Sequence, residues 1–393
     1  TDAGNYTLSQ PSGLTGNITA KELTVTGTSV ENKVYDGTDE ATLSGATLSG
    51  LVSGDAVSLD NATSGTFAQT DIGTDIGVTT SMTISGTDAG NYTLSQPSGL
   101  TGNITAKELT VTGTSVENKV YDGTDEATLS GATLSGLVSG DAVSLDNATS
   151  GTFAQTDIGT DIGVTTSMTI SGTDAGNYTL TQPSGLTGDI IAKELTIDGS
   201  FTADNKTYDG TVNATIATNS LSLIGVVGSE DVALSSEAAA FAGSDVASGI
   251  EVSLTSADIT GTDAGNYGLS LSGSPTTTAD ITSKELTVTG TSVESKVYDG
   301  TDEATLSGAT LSGVVSGDAV SLDNATSGTF AQSDIGTGLG VTTSMMIIGT
   351  DAGNYTLTQP LGLTGDITAK ELTVTGTSVE NKVYDGTADA ALS

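Results

Sequence analysis

The residues Gly86-Thr87-Asp88-Ala89-Gly90-Asn91-Tyr92-Thr93-Leu94 decide the fold, because the chain copies their core. Asp-Ala-Gly-Asn-Tyr begins at Asp2, Asp88, Asp174, Asp263 and Asp351, at spacings of 86, 86, 89 and 88 residues. A second string, Lys-x-Tyr-Asp-Gly-Thr, places its tyrosines at Tyr35, Tyr121, Tyr208, Tyr298 and Tyr384, and the two strings hold all ten tyrosines. Solenoid units span about 20–50 residues, so a period of 86 marks small independent domains in tandem. With Lys-Glu-Leu-Thr as the start of each unit, complete repeats run over 20–105, 106–191, 192–282 and 283–368. Residues 1–19 are then the C-terminal part of a repeat and 369–393 the N-terminal part of another, as expected for a segment of a longer array.

Within a repeat the apolar period is two. Leu23 and Val25 alternate with Thr24 and Thr26, and Val78, Thr80, Met82 and Ile84 share one face. Ser-Gly pairs punctuate the runs, as at Ser44-Gly45 and Ser53-Gly54. About seven short strands per repeat, apolar on one face, describe a β-sandwich. Asp88-Ala89-Gly90-Asn91-Tyr92 matches the Asp-x-Gly-x-Tyr pattern before strand F of immunoglobulin domains, whose tyrosine hydroxyl bonds back to nearby backbone. Leu94 stands where an antibody domain has cysteine. The fold class expected is all-β: tandem immunoglobulin-like β-sandwich domains forming an elongated rod. At each junction the apolar phase slips around Lys21-Glu22, with no Gly/Ser or Pro-rich linker, so last strand runs into first strand. The third repeat is five residues longer, and its additions are expected in loops, because one extra residue inside a strand flips the side chains after it.

Several residues are candidates for structural roles: Tyr35, Asp36 and Gly37 in an Asp-Gly turn of type I′, and Asp88, Gly90 and Tyr92 in the tyrosine corner. The sharpest chemical hypothesis is calcium. Asp36, Asp71 and Asp88 recur in every complete repeat, and Ca²⁺ takes about six to eight oxygen ligands. Against it, Asp75 becomes Gly249 and Gly338 in later repeats, and no EF-hand loop is present. No other cofactor is expected.

Composition narrows the function. Forty-eight acidic residues against ten lysines give a net charge of −38, which repels phosphate and anionic lipid and argues against nucleic-acid partners. No apolar stretch reaches the length of a membrane span, so this segment is not expected to insert in a membrane. The absence of His and Cys removes the usual general base and nucleophile, and the chain does not read as an enzyme.

Lys-Val-Tyr-Asp-Gly-Thr, then Gly-Asp-x-Val-x-Leu, Gly-Thr-Asp-Ala-Gly-Asn-Tyr and Ala-Lys-Glu-Leu-Thr resemble the YDG/MBG-type repeat of giant bacterial surface adhesins and filamentous-haemagglutinin-like proteins. The resemblance covers the whole chain and implies an extracellular immunoglobulin-like sandwich used in tandem, with no catalytic residues. It implies a stalk on the bacterial cell surface that projects a distal binding domain. The alternative is a repeat that self-assembles into an extracellular filament. Partners are then other repeats of the same protein, or identical chains in a fibre.

Overall fold

The alternation around Leu23 and Val25 becomes a strand with one buried face in the computed structural model, which describes residues 2–393. In the first complete repeat the strands are β1 (Lys21–Thr26), β2 (Ser29–Val30), β3 (Lys33–Val34), β4 (Glu40–Ser44), β5 (Thr47–Ser49), β6 (Ser58–Asp60), β7 (Ser64–Phe67), β8 (Gly73–Thr80), β9 (Thr83–Ser85), β10 (Tyr92–Ser95) and β11 (Thr101–Thr105). They form a three-stranded sheet of order β10-β1-β5 and a six-stranded sheet of order β2-β4-β7-β8-β11-β3, with β6 and β9 paired separately. Leu23, Val25, Leu43, Phe67, Ile76, Val78, Met82 and Ile104 are buried in the sandwich. The all-β expectation of tandem sandwiches is met, although the strands are shorter and more numerous than the alternation alone suggests.

Two pairings are parallel. β1 runs beside β10, Lys21 opposite Tyr92, and β11 runs beside β3, Thr105 opposite Val34. The chain therefore enters and leaves each repeat on strands that are flanked on both sides. Only Ala106 separates β11 from the next strand, Lys107–Thr112. Ile104 and Leu109 are both buried, on either side of that residue and in different sheets. This is the phase slip seen in the sequence.

β8 and β9 are one line of chain broken at Ser81-Met82. Gln96 bridges the break: its Oε1 accepts from Thr80 Oγ1 at 2.7 Å and Met82 N at 3.0 Å, and its Nε2 donates to Met82 O at 2.8 Å. The third repeat has Leu271 at that place, and the corresponding strand runs unbroken over Ala247–Thr260. Lys193–Ala203, Ile216–Ile224 and Ala233–Phe241 are likewise continuous. Its added residues are not confined to loops. Register shifts fall at Thr202/Ala203 and between Ser235 and Ala239, inside paired strands. A β-bulge absorbs an extra residue locally and restores the facing of those that follow.

The chain divides between Ala192 and Lys193 into two units, each holding two complete repeats.

Gly86 sits where any side chain fails. Its φ is +119°, and a Cβ would stand 2.2 Å from the Ala56 carbonyl oxygen; Gly172 repeats this with φ +123° and 2.1 Å from Ala142 O. Gly90, singled out from the motif, is different: it has no left-handed φ, and a Cβ would meet nothing within 4 Å. Gly172→Ala is expected to destabilise its repeat by about 3 kcal/mol or more, from strained backbone and contact together. Gly90→Ala is expected to change stability by less than about 1 kcal/mol. Calorimetry of the two variants checks both.

Candidate functional site: the joint between successive repeats

Tyr92 is buried, but its hydroxyl does not turn back to neighbouring backbone. It donates to Asp55 Oδ2 at 2.5 Å and accepts from Val52 N at 3.2 Å. Asp88 Oδ2 accepts from Ala56 N at 2.8 Å. The two ends of the Asp-Ala-Gly-Asn-Tyr motif thus grip the loop 52–56 of their own repeat. The tyrosine-corner expectation is right about burial and a backbone partner and wrong about which backbone.

In the second repeat the same platform carries a further guest. Tyr178 donates to Asp141 Oδ2 at 2.6 Å and accepts from Val138 N at 3.0 Å. Tyr35 of the preceding repeat donates to that same Asp141 oxygen at 2.9 Å. The two rings meet edge to face, with centroids 5.3 Å apart and planes at 78°. Beside them Asn177 is buried and bonds the preceding repeat twice, its Oδ1 accepting from Ile72 N and its Nδ2 donating to Asp71 Oδ1, each at 3.0 Å.

The second unit holds the same joint with different neighbours. Tyr208 and Tyr355 share Asp318 Oδ2 at 2.9 and 2.5 Å, and their ring centroids lie 5.4 Å apart. Asn354 accepts from Val246 N at 2.8 Å and donates to Asp245 Oδ1 at 3.1 Å. Burial follows the joint. Tyr35 and Tyr208 are 4% and 5% exposed, whereas Tyr298, with only the partial repeat after it, is 38% exposed.

A local device aims the tyrosine. Lys33 Nζ pairs with Asp36 Oδ1 at 2.7 Å and donates to Thr38 O, Thr38 Oγ1 and Glu40 O. Asp36 Oδ1 also accepts from Thr38 N at 2.9 Å, an Asx-turn. Asp36 itself has no positive φ, so the expected type I′ turn does not form; only Gly37 is left-handed, at +77°. A Cβ on Gly37 would lie 3.0 Å from Val138 Cγ1 of the next repeat, so the glycine also makes room for close approach. In the third repeat the Lys206 ammonium, outweighing partial burial, holds the Asp209 carboxyl down at about 2.

Each of the three aspartates raised as a calcium ligand has a structural partner. Asp36 is paired to Lys33, Asp71 to Asn177, and Asp88 to Ala56 N. Among the described residues no group of three or more acidic side chains converges as a metal site. The Asp75-to-Gly change has a backbone cause. Asp75 has φ +52°, and Gly249 and Gly338 have +65° and +62°, a conformation that glycine and aspartate both adopt. Asp141 and Asn177, which complete the joint, were not singled out from sequence. The retention of an acid at Glu230, where other repeats have aspartate, was the available signal for the first.

Burial foremost, and the Asp141 carboxylate beside it, push the Tyr35 hydroxyl up to about 12; burial and Asp318 do the same to Tyr208. These hydroxyls must keep their protons to donate. Their contribution is whole below the unfolded value of 10.0 and is lost as pH rises through about 12. Alkaline titration of tyrosinate absorbance should therefore show a late class of tyrosines, diminished in the variant Tyr35→Phe/Tyr208→Phe. A single titration near 10 would contradict the joint.

The four matches to the YDG domain model cover residues 19–99, 105–185, 191–278 and 282–361. No curated protein matches the chain. Among solved structures, similarity extends to the crystal structure of Dscam1 isoform 8.4, N-terminal four Ig domains, at 10% identity over 82% of this chain and 91% of that one. Its TM-score of 0.12 carries no argument. The domain model spans the tyrosine turns, the gripped loops and the Asp-Ala-Gly-Asn-Tyr platforms, repeat after repeat, and the chain belongs to the YDG domain family.

Proposed function

We propose that the chain is a structural repeat segment of an extracellular bacterial adhesin, a stalk that holds a distal binding domain away from the cell. The observation that carries this reading is the coupling of neighbours. One residue, Ala106, separates the strands of successive repeats, and a tyrosine of one repeat is buried on a carboxylate of the next. Within each unit the same joint recurs. A joint of this kind limits bending where a flexible linker would permit it. Copy number then sets reach without new design. The net charge of −38 favours separation of neighbouring molecules at low salt.

The test has two arms. Small-angle scattering of the segment should report an elongated particle, with each repeat adding on the order of 40 Å, the length of strands of about 5–8 residues plus turns. Gold-labelled antibody to the repeats should decorate thin single threads on intact cells, and deletion of repeats should shorten them. A compact or freely flexible particle contradicts the stalk. Thick ordered fibres on cells would favour self-assembly instead.

A further inference from the structure

We infer that each repeat is a tension-bearing element whose first and last strands form a two-ended shear clamp, with the tyrosine joint as a weaker coupling in series. The inference takes from the stalk reading only the origin of the load; the clamp itself follows from strand order.

Tension along the chain enters the first complete repeat at Lys21 and leaves at Thr105. Lys21 lies beside Tyr92, at the end whose counterpart in the second repeat receives a preceding tyrosine. Thr105 lies beside Val34, next to Tyr35, at the opposite end. β1 and β11 therefore run the same way through the repeat, and a pull on the chain draws each along its own axis in opposite directions. Backbone hydrogen bonds lie across the strands, so such a pull loads them together rather than one after another.

Each loaded strand is also held on both sides. β1 is the middle strand of its sheet, paired with β10 over four positions and with β5 over three. β11 lies between β8 and β3, and Tyr35 N donates to Thr105 O at 2.9 Å while Thr105 Oγ1 donates to Lys33 O at 3.2 Å. Leu23 and Ile104 anchor the two strands in the core at 0% and 2% exposure. The arrangement recurs in all four complete repeats. Lys107–Thr112, Lys193–Ala203 and Lys284–Thr289 are middle strands of three-stranded sheets. Thr187–Ile191, Thr276–Thr282 and Thr364–Thr368 are each flanked by an antiparallel and a parallel neighbour. The divergent third repeat changes strand lengths and keeps this order.

The joint offers far less. The bonds described between the first two repeats are those of Tyr35 to Asp141 and of Asn177 to Ile72 and Asp71. These yield over a short extension while the sandwich stays folded.

Single-molecule force spectroscopy on the full chain tests the assignment, and the absence of native cysteine allows handles to be placed uniquely. Pulled from its termini, the chain should unfold in discrete steps, each releasing about 86 residues, or on the order of 300 Å at roughly 3.5 Å per residue. Handles at Ser44→Cys and Thr63→Cys pull β4 and β7 apart from one end, because these strands are antiparallel neighbours. That geometry should unfold the first repeat at a force lower by a factor of about two or more, since forced unfolding follows the barrier along the loaded path. Equal forces in the two geometries would overturn the clamp. The variant Asn177→Ala/Asn354→Ala should leave the step force from the termini unchanged; a clear fall would move the resistance to the joint and overturn the assignment. A failed force comparison leaves the surface location of the chain untouched, and failed surface labelling leaves the force ratio standing.

Discussion

One carboxylate oxygen accepts two phenol hydroxyls that arrive from different repeats, and the coupling of neighbours depends on it. Asp141 sits in a loop that its own repeat holds by Tyr178 and Asp174. That grip presents the carboxylate to Tyr35 from the repeat before. A hydrogen bond to a charged group contributes about 1.5–3 kcal/mol, and an edge-to-face aromatic pair about 0.5–1.5 kcal/mol beyond its burial. These terms are small beside the burial of a whole core, yet large enough to bias one geometry between two sandwiches that a single residue already holds together. The Lys33–Asp36–Thr38 cluster serves the same end by fixing the turn that carries the tyrosine.

The third repeat separates what the joint requires from what the sandwich tolerates. It has lost the glutamine that bridges a broken strand, gained bulges, and fused short strands into long ones. It has kept Lys206, Tyr208, Asp209, Gly210 and Thr211, and its Asp245-Val246 replaces Asp71-Ile72 without loss of either bond to the next asparagine. An isoleucine-to-valine change is harmless there because the asparagine takes the backbone N–H, not the side chain. Sheets can lengthen and bulge while the ends of the domain stay the same.

Much of this was legible in the residues. Alternation at Leu23 and Val25 gave the strand and its buried face, and the phase slip around Lys21 gave the linkerless junction. The destination of Tyr35 was not legible. Nearly identical copies present the same aspartate at Asp55 and Asp141, and nothing in a sequence tells a contact within a repeat from one to the next; Tyr35 and Asp141 are 106 residues apart. Recurring aspartates read equally as ligands or as structural contacts, because both leave the same trace in a sequence. Asp75 was the informative exception, since its change to glycine follows from a left-handed backbone angle. The placement of insertions failed for a related reason: bulges repair side-chain facing locally, and no residue type announces them.

The central claim is that Asp141 and its two tyrosines hold neighbouring repeats in one arrangement. Spin labels at Thr42→Cys and Thr128→Cys, exposed strand positions of the first and second complete repeats, report their separation by pulsed electron–electron resonance. The account predicts a narrow distance distribution in the parent chain and a clearly broader one after Asp141→Ala. A distribution already broad in the parent, or one unmoved by the substitution, would contradict it.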